Sequence, residues 1–391
     1  MKDKFYNFLT VIGEYSLYGL LFFLAISNAL VEIFVVLAFL GFIGRKVIKP
    51  DFKFLKFWPN IFLLLFLFFS ALSLFNSGAY LKISLNALFG KWMQYLGICI
   101  IIQDGVYNQK IIKRGIFIFL FGAALAVLSG ISQYFFNIEF LRNRSIYNLI
   151  SGQSAATSSF NHYNDFGGYL VVALSLVSAL LLVNNYSRLK ISGLTVLAIL
   201  STATIIFTFS RGSWLAMFIS FILMAILSPE NLKRLITVFL VVIILFLFPV
   251  FHERLFLTFK AGGDSDRFRY WLAAWKMINE HPFFGMGVGT FMANFSKFLP
   301  NTNISYAHNC YLQIWAETGI FALLSFIGFI VSFVYFGIKR FIVSKDFVLL
   351  GLLSGAVGFL LHSFFETNLY SLRLAILFWA WVGLIFARLR V

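Results

Sequence analysis

The chain has 391 residues, 61% of them hydrophobic and only 12% charged, against about 45–50% and about 25% in soluble domains, and its mean hydropathy is +0.90. With 52 phenylalanines and unbroken apolar runs such as "NIFLLLFLFFSALSLF", that balance excludes a soluble enzyme. The absence of alternation excludes a β-barrel. The net charge of +16 comes with no basic domain and no nucleic-acid motif, so nucleic acid is excluded as a partner.

The class is therefore an all-α polytopic membrane protein, because only helices and closed barrels satisfy their backbone in lipid. Runs of spanning length fall near 15–27, 29–44, 57–76, 84–103, 114–136, 162–183, 190–209, 212–228, 234–251, 311–337, 346–366 and 371–388. The polar "SNALVE" from Ser27 to Glu32 favours a tight hairpin of two short helices over one tilted helix across 16–44. Twelve helices with both termini cytoplasmic give every inside segment at least two basic residues, among them Lys2 and Lys4, Arg45 and Lys46, and Lys339 and Arg340. Eleven would place Lys2 and Lys4 outside, against the positive-inside rule. The chain reads as one membrane domain, 1–391, with a large loop, 252–310, between helices 9 and 10. The N-terminus reads as an uncleaved first helix, since no small-residue cleavage site follows its charged start. Cys99 and Cys310 form no disulfide framework and are expected to be small packing residues.

Lys82, Arg142, Arg144, Arg211, Arg254, Lys260, Arg267, Arg269, Lys276, Lys297 and Arg373 remain outside, and all five histidines map to that side or to the helix ends facing it. An outside basic cluster beside a membrane points to an anionic, membrane-borne ligand such as a lipid phosphate. A solvated loop is the plain alternative.

Taken in order, "SSFNHYNDFGGYL" places His162, Asn164 and Asp165 at an outer helix start. "FSRGSW" places Arg211 in a tight turn between apolar runs, where an arginine is seldom idle. In the large loop, Asp264-Ser265-Asp266 precedes a run closed by Pro282, which predicts a helix over 267–280. Its apolar face would be Trp271, Ala274, Trp275 and Ile278, suited to a membrane surface or to the rim of the bundle. The D-x-D spelling is better explained as a helix cap than as a metal site. Gly285, Gly287 and Gly289 in "FFGMGVGTF" have neither the spacing nor the preceding strand of a dinucleotide fingerprint; a tight turn with close backbone approach fits better.

His308 and Asn309 open the next helix, and Asn309, Gln313 and Glu317 recur every fourth residue as a polar stripe. A carboxylate at that depth needs a cavity or a partner, and His308 at the mouth of such a cavity suits a general base. In "LLHSFFETNLYSLR", His362 and Glu366 stand one turn apart. As a metal pair they lack a third ligand, so a structural His362–Glu366 hydrogen bond is the expectation, with no metal.

Together "FSRGSW", "DRFRYWLAAWKMINEHPFFGMGVGTF" and "AHNCYLQIWAETGIFALLSF", with the weaker "SSFNHYNDFGGYL" and "LLHSFFE", resemble the O-antigen ligase and polymerase superfamily of bacterial membrane glycosyltransferases. The motifs cover 155 to the C-terminus, and the expected GT-C-like topology covers the whole chain. The resemblance implies a glycan donor on undecaprenyl pyrophosphate and transfer to a hydroxyl acceptor, lipid A-core or another glycan, at the periplasmic face of the inner membrane. It implies no nucleotide sugar, cofactor or required metal. By match, Arg211 and Arg267 bind the pyrophosphate and His308 activates the acceptor. Arg269 is a further donor candidate without a matching position, and Asn309, Gln313, Glu317, His162, Asn164, His362 and Glu366 are candidate supports. A ligase comes slightly ahead of a polymerase or a protein oligosaccharyltransferase, which share these motifs. A lipid-glycan flippase or transporter is the rival of another class, disfavoured because the polar residues gather at one face and the two halves do not repeat.

Overall fold

In the computed structural model, residues 2–52, 54, 57–106, 108–148, 154–184, 186–233, 236, 265–300, 302 and 305–390 are described. A helix occupies eleven of the twelve predicted runs; the remaining one, 234–251, lies outside the described residues except for Ile236, as does the start of the large loop, 252–264, with Arg254, Lys260 and Asp264. Among the described residues six helices are long and apolar enough to cross a membrane, with three shorter apolar ones. One two-residue antiparallel ladder, β1 (Tyr147–Asn148) with β2 (Ser154–Ala155), sits in the 137–161 connection.

The start of the chain is a hairpin of α1 (Lys2–Phe23) and α2 (Asn28–Ile48). Two helices are correct, but neither is short. The charged N-terminal residues continue the first helix, and Lys49 reaches back to Asp3 at 2.8 Å. The helices pack closely because Gly41 and Gly44 let α2 approach Leu9 of α1, the use membrane helices make of small residues. Next come α3 (Asn60–Leu72), α4 (Leu81–Ala87) and α5 (Met93–Gly105), the last two joined through a π turn at Leu88–Trp92. Then follow α6 (Gln109–Phe136), α7 (Tyr163–Leu181), α8 (Arg188–Phe207) and α9 (Arg211–Leu227).

After the undescribed stretch, α10 (Ser265–Glu280) and α11 (Phe291–Phe298) precede the long α12 (Cys310–Ser344), α13 (Phe347–His362) and α14 (Leu372–Arg390). The centre of the molecule is α7 and α14, almost wholly buried. α13 packs on α7 and α9, α14 on α5, and α12 on α3.

α10 begins two residues before the predicted helix and, of the predicted apolar face, buries Ala274 and Ile278. Ala273, Ala274, Met277 and Ile278 form a small separate core with Phe291 and Phe295 of α11. Two alanines in succession allow the close approach, which turns Trp275 outward (48% exposed) beside Phe268 and Leu272. Trp271 keeps an edge contact with Phe364, and Trp275 one with Trp315.

α12 is broken at Gly319 (φ 84°, ψ 173°). A helix break frees carbonyls and N–H groups that membrane depth does not tolerate unpaired. Here the segment 282–287 takes them: Met286 N–H donates to Ala316 O and Gly287 N–H to Glu317 O, both at 2.9 Å, while Ile320 N–H donates to Pro282 O at 3.0 Å. The close approach demands glycine at Gly285, where φ is +66° and a Cβ would stand 2.3 Å from the Glu317 carbonyl carbon. The glycine turn is therefore a structural joint, as its spacing predicts.

Gly285→Ala combines left-handed strain with a backbone clash and should lower stability by about 2 kcal/mol or more. Gly193→Ala, in α8 with nothing within 4 Å of the added methyl, should change it by no more than a few tenths and in the favourable direction. Heating the detergent-solubilised variants and following the monodisperse fraction by size exclusion checks both.

Candidate active site

The polar side chains at one end of the bundle converge on Glu366, in the turn between α13 and α14. One carboxylate oxygen, Oε2, accepts from His308 Nδ1 at 2.9 Å. The other, Oε1, accepts from Arg267 Nη2 at 2.6 Å and from the Asn164 amide. Four segments of the chain thus meet on one carboxylate. Its side chain is only 9% exposed, while those of Arg267 and His308 are 27% and 28% exposed. A buried carboxylate left without its partners costs several kcal/mol, so each partner is held firmly.

Local structure aims these groups. His308 has φ +48°, a left-handed conformation rare for a non-glycine residue, immediately before Asn309 caps α12 by accepting the N–H groups of Tyr311 and Leu312. The start of α12 is tied to the Glu366 turn by Cys310 N–H donating to Ser363 O at 2.8 Å and by the Cys310 thiol at 3.3 Å from Glu366 O. Tyr270 of α10 stacks on the imidazole, 5.7 Å between ring centres, and Ser305 Oγ lies 3.3 Å from Nε2. With a carboxylate accepting at Nδ1, the neutral ring carries its proton there and presents the Nε2 lone pair. That is the orientation a general base needs, and the carboxylate stabilises the imidazolium formed on proton uptake.

Of the predicted residues, His308, Arg267, Asn164 and Glu366 are brought together. His162 adjoins them: it caps α7, its Nδ1 accepting from Asn164 N–H at 3.2 Å. Arg211 opens α9 beside Gly212, whose Cα faces the His362 ring. Arg269 points elsewhere, its Nη2 donating to Thr302 Oγ1 at 2.9 Å, because two residues along a helix turn a side chain well away from Arg267.

Two expectations are corrected. His362 does not bond to Glu366. Its ring is fully buried, with Nδ1 2.8 Å from Asn368 Nδ2 and Nε2 3.0 Å from Ser213 Oγ; the carboxylate one turn on is taken by His308, 58 residues away in sequence. The Asn309–Gln313–Glu317 stripe does not line a cavity with His308 at its mouth. Glu317 accepts from Gly289 N–H at 2.9 Å, Phe291 N–H at 3.2 Å, Gln313 Nε2 at 3.2 Å and Tyr370 O–H at 3.1 Å, and Gln313 Oε1 accepts from Ala307 N–H at 3.1 Å. The stripe is the polar pin that fastens the glycine joint to α12. Among the described residues no three His, Cys, Asp or Glu side chains are grouped as a metal site.

Residues 194–327 match the family model described as O-antigen ligase; no curated protein matches the chain. The matched third of the chain carries Arg211, Arg267 and His308, and over that segment the chain is similar to the O-antigen ligase family. Glu366 and Asn164, which complete the cluster, lie outside the matched segment.

The sequence gives no sign of one further device. In the connection after α6, Glu139 (3% exposed) accepts from Ser129 O–H at 2.6 Å and from the backbone N–H groups of Leu141, Arg142 and Arg144 at 2.8, 2.8 and 3.1 Å. Burial alone would raise this carboxyl, but these donors outweigh it and hold it below its ordinary value. A depressed carboxylate contributes stability that is full above its unfolded pKa and is lost as pH falls through the folded one. Glu139→Gln should therefore destabilise the protein by about 2 kcal/mol near neutrality, and its gap from the parent should close as pH falls below the ordinary carboxylate range. Thermal unfolding of both proteins between pH 7 and pH 3 measures it.

Proposed function

We propose that this membrane protein transfers a glycan from a polyprenyl-pyrophosphate carrier, most simply undecaprenyl pyrophosphate, to a hydroxyl acceptor at the periplasmic face of the bacterial inner membrane. On this reading twelve helices cross that membrane, both termini are cytoplasmic, and the preferred role is an O-antigen ligase with lipid A-core as acceptor. The observation that carries the chemistry is the hydrogen-bonded row Arg267–Glu366–His308.

In that reaction the acceptor oxygen attacks the anomeric carbon as its proton passes to His308 Nε2. The bond from that carbon to the pyrophosphate oxygen breaks, and the electron pair leaves with the pyrophosphate. A single displacement inverts the anomeric configuration. Charge growing on the leaving group is met by guanidinium groups. Arg267 spends one of its five N–H donors on Glu366 and has the geometry to offer others to a phosphate; Arg211, at the start of α9, is the second donor-binding residue. Arg269, directed to Thr302, is given no part in it. Glu366 fixes the imidazole and Arg267 together, so base and leaving-group clamp are set relative to each other before substrate arrives.

His308→Ala should lower turnover by about 10²–10⁴-fold, the range for removing a general base, with donor binding retained. Arg211→Ala and Arg267→Ala should weaken donor binding. Glu366→Gln, which keeps the shape but removes the charge, should lower turnover and shift its pH profile. Purified protein in detergent, incubated with lipid-linked glycan and acceptor, reads these directly. Wild-type turnover in His308→Ala contradicts the base assignment, and vesicle transport without any transfer in detergent favours a flippase. Polymerised glycan on the carrier in cells lacking the protein indicates a ligase, and single repeats indicate a polymerase.

A further inference from the structure

Beside the Glu366 cluster lie three aromatic rings, and in a neighbouring turn two arginines, that the proposed reaction leaves unused. Tyr147 of β1, 37% exposed, has its ring centre 5.0 Å from that of His162 and 5.2 Å from that of Tyr163, and the last two lie 4.1 Å apart. A cluster of aromatic faces at the surface offers apolar area at small entropic cost together with polar edges, the chemistry that holds the C–H face of a sugar ring. The platform is joined to the reaction centre by covalent neighbours: His162 caps α7 at Asn164, and the Asn164 amide donates to Glu366.

The arginines are Arg142 and Arg144, in the turn that Glu139 organises. Glu139 uses only their backbone N–H groups, so the fold of the turn does not consume either guanidinium. Arg142 is exposed, and the buried Nε of Arg144 has no partner among the described residues. One side chain hangs this turn against the platform segment: Gln133 Nε2 donates to Ser145 O at 3.2 Å, while its Oε1 accepts the N–H groups of Thr157 and Ser158 at 2.9 and 2.8 Å. From Ser158 the chain runs through Ser159, which holds the buried guanidinium of Arg373, to His162. Arg142 is the outward one of the pair and Arg144 is half-buried; the buried Arg373 behind them feels the charge of both, a repulsion that an anion relieves.

We propose that Tyr147, His162 and Tyr163, with Arg142 and Arg144, form a glycan subsite that stacks a sugar ring and clamps an anionic substituent on it, a carboxylate or a phosphate, next to the reaction centre. This rests on the glycosyl-transfer reading and deepens it by naming the class of sugar. The anionic ring can belong to the donor glycan or to the acceptor; the chemistry recognised is the same.

Saturation-transfer NMR on the full-length protein in phosphatidylcholine nanodiscs tests it with three probes: glucose 6-phosphate, methyl β-glucuronide and methyl β-glucoside. The two anionic sugars should bind roughly tenfold more tightly than the neutral one, the worth of a charge-assisted hydrogen bond. Arg142→Gln/Arg144→Gln should erase that preference. Tyr147→Ala, a change on an exposed two-residue strand, should weaken all three and remove transfer to the ring protons. His308→Ala should leave all three affinities unchanged, which separates this subsite from the fate of the proposed reaction. Displacement of the probes by lipid-linked glycan, but not by bare undecaprenyl pyrophosphate, assigns the ring to the donor; survival of binding with the donor present assigns it to the acceptor. Equal binding of the three probes to the wild type overturns the proposal, as does a preference that survives the double arginine variant. Displacement by inorganic phosphate without any effect of Tyr147→Ala leaves only an anion site and overturns the glycan claim.

Discussion

A carboxylate buried at the end of a helical bundle is tolerated only if charge and hydrogen bonds are brought to it, and Glu366 imposes that condition on the rest of the site. It draws the start of α7 through Asn164, the start of α10 through Arg267, and the turn before α12 through His308. None of these segments is adjacent in sequence. Their common partner makes them one unit, in which moving the imidazole disturbs the guanidinium and the reverse. Catalysis by positioning requires such coupling.

A second carboxylate plays a different part. Glu317 is saturated by two backbone N–H groups, an amide and a phenol, so nothing of it is left for chemistry. Its work is mechanical. It clamps the glycine turn against the break in α12, and that break lets the chain between α10 and α11 insert into the bundle. The small core of α10 and α11 then fixes α10, and with it Arg267 and Tyr270, over His308. One acid holds the scaffold and the other holds the groups proposed to react.

Much of this was legible in the residues. Apolar runs of spanning length located the helices, because a helix must be apolar over its lipid-facing length whatever it packs on. The charged start of α1 is not legible, because the helix continues beyond the apolar run, supported by contacts with α2. The residues of the cluster are legible one by one, but their pairing is not. Spacing of one turn made His362 the natural partner of Glu366, whereas the fold buries His362 between Ser213 and Asn368 and supplies His308 from 58 residues away. The same local reading gave the stripe from Asn309 to Glu317 a cavity, where the fold gives it a backbone to hold. Helical periodicity tells which side chains share a face and is silent on what faces them. The fold divides the apolar face named for α10, burying Ala274 and Ile278 while leaving Trp275 half exposed. Glu139 gave no signal at all, since a loop acid that gathers backbone N–H groups looks like any other.

The central claim is that Glu366 holds His308 with its proton on Nδ1 and its lone pair on Nε2. Nitrogen-15 NMR of histidine-labelled protein, with the His308 signals assigned by their loss in His308→Ala, reads this directly. The account predicts that neutral His308 shows a protonated, pyrrole-type Nδ1 and a bare, pyridine-type Nε2, and that this preference is lost in Glu366→Ala. A proton on Nε2 in the wild type, or a tautomer indifferent to Glu366→Ala, would contradict it.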